Sequence, residues 1–261
     1  MVLFIKQLEN VKINKPVLIE GLPGIGNVGK IAADFIIDSI KARKIFEIRS
    51  YGFPNAVFVN DKNLIELPAI DIYHKKVNGT DILILAGDIQ PIDEESCYEF
   101  CDKVLDFLEK NNGKEIITLG GIGLPEIPEE PKAYCTATNK KIIERYKYKN
   151  LSNNIYGVVG PIIGVTGILA GLAGKRNMEA IALLAETYGH PNYIGIKGAR
   201  AILRILDGRF KLDLNFKVLD RNVVEIEKDM KEKIKQIDQI MKKSSVRKMD
   251  ETHKTKTNYI G

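Results

Sequence analysis

Short apolar runs alternate along this chain with longer stretches in which apolar positions recur every three or four residues. Val17 to Ile19 reads as a buried strand, and Asn27 to Ile40 as the helix after it. In that helix Val28, Ile31, Phe35 and Ile36 fall on one side, as a period of 3.6 requires. Lys44 to Arg49 is the next predicted strand. Residues 55–77 hold two or three strands with turns at Asn60-Asp61 and Asn78-Gly79, a hairpin-like insertion that would place His74 in a polar region. Asp81 to Ala86 (DILILA) has the continuous apolar pattern of a strand buried on both faces of a sheet.

Pro91 to Glu95 starts a helix, with Asp93 as N-cap and acids in the first turn, and Asn112-Gly113 stops it. Glu115 to Leu119 (EIITL) is another buried strand, ending in Gly120-Gly-Ile-Gly123, which reads as a strand-to-helix turn. After the proline-rich stretch Leu124 to Pro131 come a strand at Ala133 to Thr136 and a short helix from Asn139. Residues 157–174 (GVVGPIIGVTGILAGLAG) are apolar and thick with glycine, which suits close approach of another backbone. Ala180 to Glu186 is the last central strand, and Lys197 to Leu206 a helix closed by Asp207-Gly208. Val223, Ile226, Met230, Ile234, Ile237 and Met241 recur at threes and fours, so Val223 to Lys243 is an amphipathic helix with one face to bury.

Repeated strand–helix alternation predicts a single α/β domain with a largely parallel central sheet flanked by helices. Its expected extent is residues 1–221, followed by the C-terminal amphipathic helix (222–245) and a flexible tail (246–261) without periodicity. The chain of 261 residues, 44% apolar, is long enough for a full core. No apolar run approaches the ~18 residues that span a bilayer, and MVLFIKQLEN lacks the features of a signal peptide, so a cytoplasmic protein without a membrane partner is expected.

The net charge of +5 is concentrated near the C-terminus (Lys242, Lys243, Arg247, Lys248, Lys254, Lys256) without interleaved stacking aromatics. That is the pattern of a solvated helix end and tail, and no nucleic-acid partner is expected. Cys97 and Cys101 share a helix face without a histidine cluster or CxxC spacing, so they are read as buried small hydrophobes, and no metal site is expected. High Ile, Lys and Glu content without tryptophan points to a thermophilic source.

The stretch GLPGIGNVGK, Gly21 to Lys30, admits two ligand readings. Gly24-x-Gly26-x-x-Gly29 has the spacing of a dinucleotide-binding fingerprint, and Gly24 to Lys30 is a GxxxxGK phosphate loop lacking its last residue. A phosphate loop needs a hydroxyl after the lysine to hold magnesium, and Ile31 stands there. A dinucleotide site needs an acid at the tip of the second strand, where Arg49 stands and Glu47 lies inside. A tight strand-to-helix turn explains the same glycines without a ligand and is preferred, with a nucleotide-dependent enzyme on Gly24, Gly26, Gly29 and Lys30 kept as the alternative. There is no GxSxG elbow or HExxH, and helix capping accounts for the acids Asp93 to Glu95 as well as catalysis does. A phosphorylase or hydrolase relic with a pocket beside Asp88 or Gly121 is a third reading.

Taken in order, GLPGIGNVGK, DILILAGDIQP, ITLGGIG, GVTGILAGLAG and ALLAET followed by HPNYIGIKGARAIL resemble the archaeal branch of the proteasome assembly chaperone family. These pieces run from about residue 16 to 206. The resemblance implies a phosphorylase- or hydrolase-like α/β fold without the active-site residues, no cofactor, and homo-oligomers, often rings of five. It implies a chaperone role toward proteasome α subunits or through a paralogous assembly chaperone. Family members commonly end in hydrophobic–tyrosine–any residue, a docking anchor. Here the end is Asn258-Tyr259-Ile260-Gly261, with the tyrosine third from last and Asn258 in the hydrophobic place. These four residues are the expected partner-binding site.

Overall fold

The alternation of patterns resolves into a layered α/β structure. The structure, a computed structural model, describes residues 3–155 and 160–220. In chain order its elements are β1 (Leu3–Gln7), β2 (Val17–Gly21), a 3₁₀ turn (Ile25–Asn27), α1 (Val28–Ile40), β3 (Arg43–Ser50), β4 (Phe58–Val59), β5 (Ile65–Glu66), β6 (Ile70–Val77) and β7 (Thr80–Gly87). There follow α2 (Glu94–Lys110), β8 (Glu115–Leu124), β9 (Ala133–Ala137), α3 (Lys140–Arg145), β10 (Leu151–Ser152), α4 (Val165–Lys175), β11 (Ala180–Tyr188) and α5 (Ile196–Phe210). Residues up to Phe216 form one compact unit, and Lys217 begins a second, of which residues 217–220 are described. The expected helix at 222–245, the tail at 246–261 with Asn258 to Gly261, and residues 157–159 of the glycine-rich stretch lie outside the described residues.

Nine strands form one sheet in the order β1-β3-β6-β7-β2-β8-β11-β9-β10. Its centre, β7, β2, β8 and β11, is parallel. These are the continuous apolar runs of the sequence, which need cover on both faces. The margins are antiparallel where β6 joins β7 and β3, β1 joins β3, and β9 joins β11. Side chains alternate along each strand, so each central strand feeds two cores. Leu18, Leu83, Leu85 and Ile116 meet Phe100, Leu105 and Leu108 of α2 and Leu169 and Ala173 of α4. Ile19, Ile84 and Ile117 point to the other face, where α1 packs on α5. Asp93 caps α2 as its sequence position demands: Oδ1 accepts from the Ser96 N–H at 2.8 Å. Cys97 and Cys101 are buried free thiols in the α2 core.

Three local expectations change. The helix predicted to close at Asp207-Gly208 continues to Phe210. Gly208 serves packing there, since a Cβ would stand 3.1 Å from the Tyr148 ring, and the helix ends at Lys211 in the left-handed region. Residues 70–77 belong to the main sheet as β6, so His74 is buried and its Nε2 lies 2.9 Å from Asp81 Oδ1. Only β4 and β5 form a separate hairpin, paired with each other alone. Gly120, Gly121 and Gly123 lie inside β8, which runs on to Leu124 in register with β11.

Candidate functional site

The carboxyl ends of the parallel strands are where an open α/β sheet gathers a site, and here the glycine loop, the segment after β7 and the start of α4 converge there. The loop turns from β2 into α1 through the 3₁₀ turn, with Gly26 and Asn27 at φ of 62° and 52°. The Gly195 N–H donates to the Gly26 carbonyl at 2.7 Å and ties the loop to the turn after β11. Around it, Gly29 of α1 and Gly121 of β8 leave space that neighbouring backbone fills. A Cβ on Gly29 would lie 2.3 Å from the Leu119 carbonyl oxygen, and one on Gly121 would lie 2.2 Å from that of Ile25. Gly24 differs: its backbone is extended and no described residue stands within 4 Å of where a Cβ would be.

Lys30, the residue a phosphate reading needs most, is held between two carboxylates. Its Nζ lies 2.7 Å from Asp34 Oδ2 and 2.8 Å from Asp88 Oδ1. Burial works against its charge, but hydrogen bonds to Asp34 and Asp88 outweigh it and lift its pKa above the ordinary lysine value. The ammonium charge is thus balanced within the fold, and Asp88, the acid after the DILILA strand, is occupied by it.

Several other polar groups at this edge hold the fold together. Asp93 caps α2, and the Asn192 N–H donates to His190 Nδ1 at 3.2 Å while the His190 ring stacks on Tyr188. Gln90, which no sequence pattern singled out, is a clamp: its Nε2 donates to the Pro23 carbonyl and its Oε1 accepts from the Val165 N–H. Gly164, at φ of 79°, leaves room for it, because a Cβ there would meet Gln90 Oε1 at 2.6 Å. Beneath the loop sits Glu20, wholly buried, with Oε1 accepting from the Leu22 N–H at 3.0 Å and Oε2 without a hydrogen-bond partner. Burial pushes its pKa up to about 8, against the Leu22 N–H and the Thr166 hydroxyl, which favour the charged form. Among the described residues no group of three His, Cys, Asp or Glu side chains could hold a metal ion, and no helix is long and apolar enough to cross a membrane.

What this edge offers outward is apolar. Ile25, Tyr51, Ile92 and Ile163 are exposed there, as are Val57, Phe58, Val59, Leu64, Ile65 and Leu67 of the β4–β5 hairpin. Exposed apolar surface of this extent marks contact with another macromolecule. Of the residues predicted for a site, the structure places Gly24 and Gly26 in the turn after β2 and Gly29 and Lys30 in the first turn of α1, all at this edge. A run of apolar residues flanked by turns reads equally as a buried strand, so the sequence could not show that the hairpin is exposed on both faces.

The PAC2 family model matches residues 18–234, most of the chain, and the chain belongs to that family. An uncharacterized protein of Methanocaldococcus jannaschii is 29% identical over 241 residues, 92% of this chain and 89% of that one. The crystal structure of PbaB from Pyrococcus furiosus, described as an archaeal proteasome activator, matches with a TM-score of 0.79 and 31% identity, covering 88% of this chain and 98% of that one. PbaA of the same organism, described as an archaeal homolog of proteasome-assembly chaperone, matches with a TM-score of 0.72 at 22% identity, over 96% and 98% of the two chains. At that identity the likeness is one of fold. The family resemblance read from the ordered motifs is borne out, and with it the α/β class.

Proposed function

We propose that this chain is a non-enzymatic, homo-oligomeric chaperone-like protein of the proteasome system, a cytoplasmic ring of several copies, five by the resemblance. The observation that carries the reading is the 31% identity to PbaB over 88% of this chain. The site's chemistry supports it: the loop lysine is neutralised, the edge's acids hold structure together, and the rim is apolar. Contact with α subunits or a paralogous chaperone runs through Asn258, Tyr259, Ile260 and Gly261. One anchor of four residues buries little surface and binds weakly, whereas several on one oligomer gain effective concentration.

Surface plasmon resonance against immobilised α subunits or a paralogous chaperone tests the tail. Tyr259→Ala, or deletion of residues 258–261, is expected to weaken binding at least tenfold and to leave the fold and oligomeric mass unchanged. Equal binding by intact and truncated protein would move the contact to the folded unit. Calorimetry with ATP and NAD tests the other class of function. No heat of binding is expected, because a phosphate would have to compete with Asp34 and Asp88 for Lys30. Micromolar binding that disappears in Lys30→Ala would establish the nucleotide reading instead.

A further inference from the structure

The β4–β5 hairpin is held at its turn by Asn60. Asn60 Oδ1 accepts from the Lys62 and Leu64 N–H groups at 3.0 and 2.9 Å, and Asn60 Nδ2 donates to Glu66 Oε1 at 2.7 Å. A hairpin lying on a core alternates apolar and polar residues, but here Val57, Phe58 and Val59 are consecutive, apolar and exposed, as are Leu64 and Ile65. Such a pair of strands is apolar on both faces and, alone in water, marginally stable at best. Its apolar side chains expose on the order of 600 Å², as large as the largest patch on a typical monomer. That approaches the about 800 Å² that one partner buries in a standard interface.

A receiving surface lies on the same chain. Between α4 and the ends of β9 and β11 runs an open groove of about 900 Å³, with Ala137, Ile155, Ile162, Ala170, Gly171 and Ala182 among its walls. Lys175 is the charged residue among its described lining, and the hairpin's Asp61, Lys62 and Glu66 sum to −1. Gly171 stands mid-helix, and no described residue comes within 4 Å of where its Cβ would be, so no contact among the described residues calls for glycine there. β7, β2 and β8 separate β6, which continues the hairpin, from β11 at the groove. At the usual strand spacing that is roughly 20 Å of sheet between the hairpin's strand and the groove of the same copy.

We propose that the 57–67 hairpin of one copy seats in the α4 groove of a second copy, a head-to-tail contact of the kind that closes rings. The inference rests on the self-assembly reading above and names its interface. A two-faced apolar hairpin needs walls on both sides, and a groove supplies them where a flat surface does not.

Light scattering on the full chain at micromolar concentration tests it. The unaltered protein is expected to show the mass of several copies. Val59→Asp, and separately Gly171→Leu, should weaken assembly at least tenfold, toward the mass of one copy. Leucine is a better helix former than glycine, so the second variant keeps the fold while filling the groove. The native cysteines are buried, so Ile65→Cys combined with Ala170→Cys should yield covalent multimers on mild oxidation. An unaltered protein of single-copy mass would overturn both this inference and the self-assembly reading. Variants that stay assembled would overturn the hairpin contact alone, and covalent pairs from Ile65→Cys by itself would place hairpin against hairpin and remove the groove.

Discussion

Glu20→Gln is expected to stabilise the protein at pH 8 by on the order of 4 kcal/mol and to change little at pH 4. In the folded chain burial lifts the Glu20 pKa to about 8, from an ordinary value of 4.5. Between those two pH values the unfolded chain has released its proton and the native state retains it. The stability that goes with the neutral acid is therefore fully present below pH 4.5 and is lost as pH rises to about 8. Glutamine keeps the acceptor for the Leu22 N–H and carries no charge to bury. Its amide is also suited to Thr118, whose hydroxyl has no partner and which pairs in register with Glu20 on the adjacent strand. Denaturant unfolding of both proteins at several pH values measures the difference between the two curves. Parallel curves would show that Glu20 does not hold its proton at neutral pH.

Gly121→Ala is expected to cost about 3 kcal/mol or more, while Gly24→Ala changes stability by less than about 0.5 kcal/mol. The added methyl at 121 meets the Ile25 carbonyl oxygen at 2.2 Å, a backbone atom of the glycine loop that no rotamer change can move aside. At 24 it enters open space on an extended backbone. The contrast also separates the two readings of the fingerprint. A loop shaped for phosphate contact uses its first glycine as much as its last, whereas a loop shaped by helix–sheet packing is indifferent to Gly24 and intolerant at Gly29 and Gly121. Thermal unfolding of the two variants gives the comparison directly, and equal losses would remove the packing account.

The parallel centre of the sheet was legible because strands covered on both faces must be mostly apolar, and VLIEG, DILILA, EIITL and AIALLA are apolar at most positions. The N-caps at Asp93 and Asn139 were legible for a related reason: a side-chain oxygen at the start of a helical pattern has one local task, accepting from the first-turn N–H groups. β1 went unread because it is a mostly exposed edge strand, held by pairing to β3 forty residues away. His74 reads as polar from its neighbours, and only the register that sets Asp81 beside it makes a buried pair of the two.

The sequence alone therefore determined whatever depends on local periodicity and on the ordered motifs: the α/β class, the helix starts, the strand–loop–helix path through Gly24 to Lys30, and the family. The tertiary structure decided what those residues do, because each answer depends on residues distant in the chain. Lys30 has the place of a phosphate ligand until Asp88, fifty-eight positions on, closes against it. Gly121 reads as part of a turn until the fold sets the Ile25 carbonyl against it, and the hairpin at 57–67 is an ordinary apolar run until the fold leaves both of its faces uncovered. Charge balance, close packing and exposure are properties of the neighbours that a fold assembles, and periodicity carries no record of neighbours.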